Sequence, residues 1–146
     1  MGYTSYSVED RADRAITSGY YTKSASDIFT QSKVQKIHES MNPKGIKFRE
    51  CLDSDAHPNT VPIIISLDVT GSMRRIPHEL VKDGLPKLMG TLLQNGVKDA
   101  SLLFTAIGDH ECDSYPLQVG QFESGDKELD LWLTRTYLEG GGQYRD

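Results

Sequence analysis

The chain has 146 residues, about the size of one small domain, with 37% hydrophobic and 25% charged residues. That balance suits a globular protein rather than a disordered one. A net charge of −5 argues against an extended nucleic-acid footprint, which needs a clustered basic face, and is compatible with a carboxylate-rich metal site.

Met1–Tyr6 has neither the basic nor the apolar region of a signal peptide, and Tyr6 stands where a myristoylation signal needs Ser or Thr. Residues 1–60 read as a mostly helical and looped lead-in. Ser7-Val8-Glu9-Asp10 is a capping start for a short helix to about Thr17, broken by Gly19. Ser26-Asp27 caps a second stretch, in which Ile28, Phe29, Val34 and Ile37 recur at roughly helical spacing. Asn42-Pro43-Lys44-Gly45 is a turn, Ile46–Cys51 a short alternating strand, and Asp53–Pro62 a loop. Cys51 and Cys112 are too few for a disulfide framework and lack the C-x-x-C spacing of a structural zinc site.

A partial α/β domain is expected over residues 61–139. Ile63-Ile64-Ile65-Ser66-Leu67 has the continuous β-branched character of a central parallel strand covered on both faces. It is too short to cross a bilayer, so a cytoplasmic location is expected. A helical pattern follows, with Ile76, Leu80, Val81, Leu85, Leu88, Met89 and Leu92 on one broad face. Pro77 fits a first turn, whereas Pro86 must kink or split the helix, and Asn95-Gly96 ends it. Ala100–Ile107 is a second strand closed by Gly108-Asp109, and Leu117–Phe122 a third, its hairpin partner. Leu129, Trp132, Leu133 and Tyr137 repeat at helical spacing, ahead of a flexible glycine-rich tail over 140–146. The alternation makes this an α/β protein, with ligands expected at the carboxyl ends of the strands. Asp68 and Asp109 both fall there, and they converge if the two strands are parallel neighbours.

Asp68, Thr70 and Ser72 are spaced i, i+2, i+4 in the turn leaving the first strand. Mg²⁺ or Mn²⁺ takes oxygen ligands, few of them charged, and keeps several waters, a mixture that one carboxylate and two hydroxyls supply. Gly71 permits the tight turn. The metal-free alternative is that Thr70 and Ser72 cap the following helix while Asp68 bonds backbone N–H groups.

Ile63–Met73, IIISLDVTGSM, resembles the metal-ion-dependent adhesion site (MIDAS) of von Willebrand factor A (VWA) domains, D-x-[ST]-x-S. The likeness is closer to intracellular bacterial and phage proteins of that superfamily. It extends to Val61-Pro62-Ile63, Ile76-Pro77, Ala106-Ile107-Gly108-Asp109 and Pro116–Ser124. The resemblance implies an incomplete VWA-like, Rossmann-like sheet preceded by the helical segment. It implies that Asp68, Thr70 and Ser72 hold Mg²⁺ directly or through water, with a partner's carboxylate completing the coordination. The expected role is thus protein binding and not catalysis, in an assembly or chaperone-type setting beside an ATPase partner. The family supplies a further Thr and Asp from later loops, and neither motif is present before Asp146. Asp109 is the substitute that the sheet order suggests. Family sheets also place strands beyond the first core strand. Without them its edge is open, and self-association, pairing with another chain or cover by the N-terminal segment is expected.

The alternative is a Mg²⁺-dependent phosphotransferase of the haloacid dehalogenase type, with Asp68 as nucleophile in Asp68-Val69-Thr70-Gly71-Ser72 and Gly108-Asp109…Asp113 as its acidic pair. The two motifs are only 41 residues apart (109 − 68), too close for the motifs and cap that such enzymes place between them. Smaller signals have plain readings. His110, Cys112 and Asp113 form a polar loop more readily than a zinc set. Glu139–Gly142 lacks the Lys-Ser/Thr of a P-loop. Trp132 is expected in the core, and Arg74-Arg75 in solvent or facing acidic partners. Tyr3, Tyr6, Tyr20 and Tyr21 suit a mobile N-terminus or a stacking surface.

Overall fold

The computed structural model describes residues 6–71, 75–111 and 113–139. Helix α1, Val8–Thr17, opens as its sequence dictates, with the Ser7 hydroxyl accepting the Asp10 N–H and Glu9 and Asp10 in the first turn. The second expected helix is two single turns, α2 (Ala25–Ile28) and α3 (Gln31–Val34), split at Phe29. The cap of α2 is Ser24 rather than Ser26, and Val34 is exposed while Ile28 and Phe29 are buried. A 3₁₀ turn at Glu39–Met41 follows, then the expected turn, closed by Ile46 N–H to the Pro43 carbonyl. Ile46–Cys51 is not a strand. Phe48 is 69% exposed, so the alternation there has no sheet face to bury.

Three strands form one sheet in the order β1-β2-β3: β1 is Val61–Asp68, β2 Ala100–Ile107 and β3 Leu117–Val119. β1 and β2 are parallel, from Val61 opposite Ala100 to Asp68 opposite Ile107, and β3 is antiparallel to β2. The pairing then jumps from Thr105–Val119 to Leu102–Glu123, so one extra residue is accommodated near Gly120. A Cβ at Gly120 would lie 2.9 Å from the Phe104 carbonyl oxygen, which is why a glycine stands at this bulge. The expected strand to Phe122 therefore ends as a regular ladder at Val119.

The expectation that Ile63–Leu67 lies centrally with both faces covered is overturned. Among the described residues β2 is the central strand, and β1 pairs with β2 alone. Leu103 is 3% exposed, whereas Ile64 beside it is 62% exposed. A β-branched run thus marks a strand without telling centre from edge. The N-terminal segment adds no strand to the β1 side among the described residues, and Pro62, which has no N–H, sits in this edge strand. On its other face β1 contributes Leu67 to the main core, with Ile63 and Ile65 packed against it.

The helix after β1 is α4 (Arg75–Glu79), a π turn (Leu80–Gly84) and α5 (Leu85–Gln94) in unbroken succession, so the α pattern gives way to a π turn just before Pro86 without a gap in the helix. Pro77, Val81, Leu85 and Met89, each four residues apart, are the buried side chains. In a regular α-helix such a series drifts by about 40° per step, or about 120° from Pro77 to Met89. A π turn takes up about one extra residue, which returns about 100° and brings the four into line. Ile76, expected on the apolar face, lies about 100° from that stripe, one residue before Pro77, and is 48% exposed. Helix α6, Asp126–Thr134, packs Leu129 and Leu133 into the core, and Trp132 lies partly buried against it. Among the described residues no helix is long and apolar enough to cross a membrane.

Candidate metal site

Asp68 is the last residue of β1, and Val69 N–H continues the ladder to the Ile107 carbonyl. Asp109 follows two residues after Ile107. The two aspartates therefore leave the carboxyl ends of adjacent parallel strands, the setting in which open α/β sheets place ligands. Both are exposed.

Asp68 Oδ1 accepts the Thr70 N–H at 2.9 Å and the Thr70 hydroxyl at 2.6 Å. The first is a bond that the metal-free alternative calls for, whereas in the second the Thr70 hydroxyl turns to Asp68 rather than capping the following helix. They also set the first two expected ligand oxygens side by side. Octahedral Mg²⁺, with bonds of 2.0–2.1 Å, separates neighbouring ligand oxygens by about 2.9 Å, so a rotation of the Thr70 hydroxyl and a small opening fit the ion. Ser72, the third expected ligand, lies outside the described residues, as does Arg74.

Asp109 is committed to its own loop, where its Oδ1 accepts the Glu111 N–H at 2.8 Å. Asp113 turns back on the same loop: its Oδ2 accepts the Asp109 N–H at 2.6 Å, and its N–H reaches the Asp109 carbonyl. A Cβ on Gly108 would lie 2.6 Å from that Oδ2, so glycine is required at 108 for the loop to close. The G-D-x-x-x-D string thus has a local structural use, which bears equally on Asp109 as a metal ligand and on the phosphotransferase alternative. Glu139 fastens the far side, accepting the Ser114 and Tyr115 N–H groups. Cys112 and Gly140–Gly142 lie outside the described residues. Among the described residues no three His, Cys, Asp or Glu side chains gather around one point. The expected set has only two carboxylates and draws its other oxygens from hydroxyls and water.

The densest polar cluster lies elsewhere and was not anticipated. Arg11 of α1 is fully buried; its guanidinium donates to Asp126 and Asp130 of α6 and to the Val81 carbonyl, and rests 5.7 Å from the centre of the Tyr20 ring. Arg14 Nε donates to Asp126 at 2.6 Å, and the Tyr20 hydroxyl to Asp130 at 2.8 Å. Burial, reinforced by the Asp130 charge, pushes the Tyr20 phenol up to about 12. Burial and the Asp126 charge raise Tyr6 as well. Tyr6 packs against the core and Tyr20 is itself buried, so neither belongs to a mobile N-terminus or an open stacking surface. The available signal was a pair of arginines at i, i+3 on α1 and of aspartates at i, i+4 on α6, each on one helical face.

The chain matches no protein-family model, no curated protein and no solved structure with which it was compared.

Proposed function

We propose that the loop after β1 is a Mg²⁺ or Mn²⁺ site of the VWA type that binds a protein partner through that partner's carboxylate. The observation that carries this reading is the pairing of the Asp68 carboxylate and the Thr70 hydroxyl at 2.6 Å on the exposed carboxyl end of a parallel strand. Asp68 and Thr70 supply one charged and one neutral oxygen, Ser72 a second hydroxyl, and Asp109 a carboxylate from the neighbouring strand end. Bound there, the ion offers a Lewis-acidic coordination position for an acidic side chain. The mixed α/β architecture and the order Asp68-x-Thr70-x-Ser72 support a VWA-like assignment, with the β1 edge standing where such a sheet continues.

The test is titration of Mg²⁺ and of Mn²⁺ into wild type and Asp68→Ala, reading binding heat and melting temperature together. Ligand binding to the native state stabilises it by about 2.7 kcal/mol at a hundredfold excess over Kd. A rise in melting temperature in the wild type that Asp68→Ala lacks is expected. Equal behaviour of the two proteins sinks the reading. Phosphorylation of Asp68 by a small phosphate donor would favour the phosphotransferase instead.

A further inference from the structure

We propose that Arg11 is a positioning residue for the Asp68 loop, acting through the π turn to fix the rotation at which α4 receives the chain. The proposal rests on the metal reading only for its affinity readout.

The inference starts from one carbonyl. In a regular α-helix the Val81 carbonyl would accept the Leu85 N–H. In the π turn the Leu85 N–H goes to the Leu80 carbonyl instead, one residue further back. The donor that the π pattern would next give Val81 belongs to residue 86, which is proline and has none. Val81 is 0% exposed, so an unpaired carbonyl there would carry the full desolvation penalty, about 1–3 kcal/mol. The Arg11 guanidinium supplies the missing donor from α1, 70 residues away in sequence. Asp126 and Asp130 hold the guanidinium from the opposite side.

What hangs on this bond is a rotation. Relaxing the π turn to α geometry would turn α4 by about 100° relative to α5. Pro77 would leave the buried stripe, and the start of α4 would turn relative to the strand end that carries Asp68 and Thr70. By this route α1 acts on that loop through the helix that follows it. π turns recur at functional sites because the wide turn re-aims what precedes it.

The experiment uses the full chain and Mn²⁺ as the probe, read by water-proton relaxation, with amide exchange over residues 75–85 as a second readout. Asp130→Asn is the background, so that removing the arginine leaves one fewer unpaired carboxylate. Arg11→Met in that background should weaken Mn²⁺ binding at least tenfold and speed exchange of the Leu85 amide, while Asp130→Asn alone changes neither by more than about twofold. Adding Pro86→Ala restores an N–H that can serve Val81, and should return the Mn²⁺ affinity to within threefold of the background. Unchanged affinity and exchange in a folded Arg11→Met protein, or no rescue by Pro86→Ala, would overturn the proposal. If Arg11→Met does not fold, Arg11→Lys takes its place with the same criteria. A wild type that binds no Mn²⁺ defeats the metal reading alone, and the exchange readout then decides whether Arg11 holds the π turn.

Discussion

Arg11 and Asp68 are both charged, and the protein treats them in opposite ways. Arg11 is fully buried, held by two carboxylates, a carbonyl and an aromatic face, at the junction of α1, α6 and the π turn. Asp68 is exposed, and among the described residues its side-chain hydrogen bonds are to Thr70. A buried polar cluster with so many fixed partners has little freedom left to exchange them for a ligand's. An exposed carboxylate beside a hydroxyl at a strand end can change partners at small cost. Density of charged contacts therefore marks the structural region here, and sparseness marks the candidate site.

The largest test of that contrast is stability. Breaking a buried ion pair by removing one partner costs about 3–5 kcal/mol, because the remaining charge stays in the interior. Arg11→Ala is expected to lose that much in urea denaturation, whereas Asp68→Ala should stay within about 0.5 kcal/mol of wild type without metal. Comparable losses for both would mean that the Asp68 loop is itself a structural fastening. Arg11→Met with both Asp126→Asn and Asp130→Asn should recover most of the loss, since replacing a whole buried cluster by neutral groups is often tolerated. Arg11 Nε and the Tyr6 hydroxyl are buried without hydrogen-bond partners among the described residues, so the cluster is short of its maximum stability already.

Gly120→Ala ranks next. Its Cβ would meet the Phe104 carbonyl at 2.9 Å, a backbone atom of the central strand that cannot rotate away. Forcing such a contact typically costs about 1–3 kcal/mol. The same substitution at Gly90, where a Cβ would meet nothing within 4 Å, should be stabilising by up to about 1 kcal/mol through helix propensity. The sign difference between these two variants, read by denaturant midpoints, tests the bulge directly.

Much of this organisation was legible in the sequence, for identifiable reasons. α1 was bounded by a serine cap and an acidic first turn, and β2 by an apolar run closed at Gly108. Pro86 announced a break in its helix. Proline chemistry alone, however, cannot say that a wide turn precedes it and realigns Pro77 with Met89. The placement of β1 failed because a β-branched run is compatible with either a central or an edge position, and pairing order is a tertiary property. Ile46–Cys51 failed because alternation has no effect without a sheet to lie on. Of the candidate site, Asp68 and Thr70 were singled out by spacing, and the Thr70 N–H and hydroxyl both bond the Asp68 carboxylate. Asp109 was placed at the right strand end, but its carboxylate is turned to Glu111 by contacts within its own loop. The Arg11 cluster was missed because its arginines and aspartates lie more than 100 residues apart, and only packing shows that Arg11 points inward.

Alkaline titration separates the two regions without mutation of either charge. The Tyr20 phenol is raised to about 12 in the fold, chiefly by burial and next by Asp130. An unfolded tyrosine titrates near 10. Between those values the native state holds a proton that the unfolded state has lost, so stability is full below about pH 10 and falls as pH rises toward about 12. Tyr20→Phe should flatten that limb of the stability curve. Asp68→Ala should leave its slope alone, and a changed slope there would couple the exposed loop to the buried cluster.

The smallest expected effect on stability is at the β1 edge. The ladder from Val61 N–H to Asp99 and from Val69 N–H to Ile107 alternates inward, which leaves the N–H groups of Ile64, Ser66 and Asp68 directed away from β2. With Ile64 62% exposed beside them, the edge offers both hydrogen-bonding groups and apolar surface to another strand. Ile64→Lys places a charge on that surface and is expected to change stability by no more than about 0.5 kcal/mol. Sedimentation velocity across a concentration series should show self-association in wild type and less of it in Ile64→Lys. Association that survives Ile64→Lys, and also survives Ser66→Pro, which removes an outward donor, would move the contact elsewhere on the molecule. Loss of association in both would assign it to the strand that carries Asp68, and so bring a second chain to the border of the candidate metal loop.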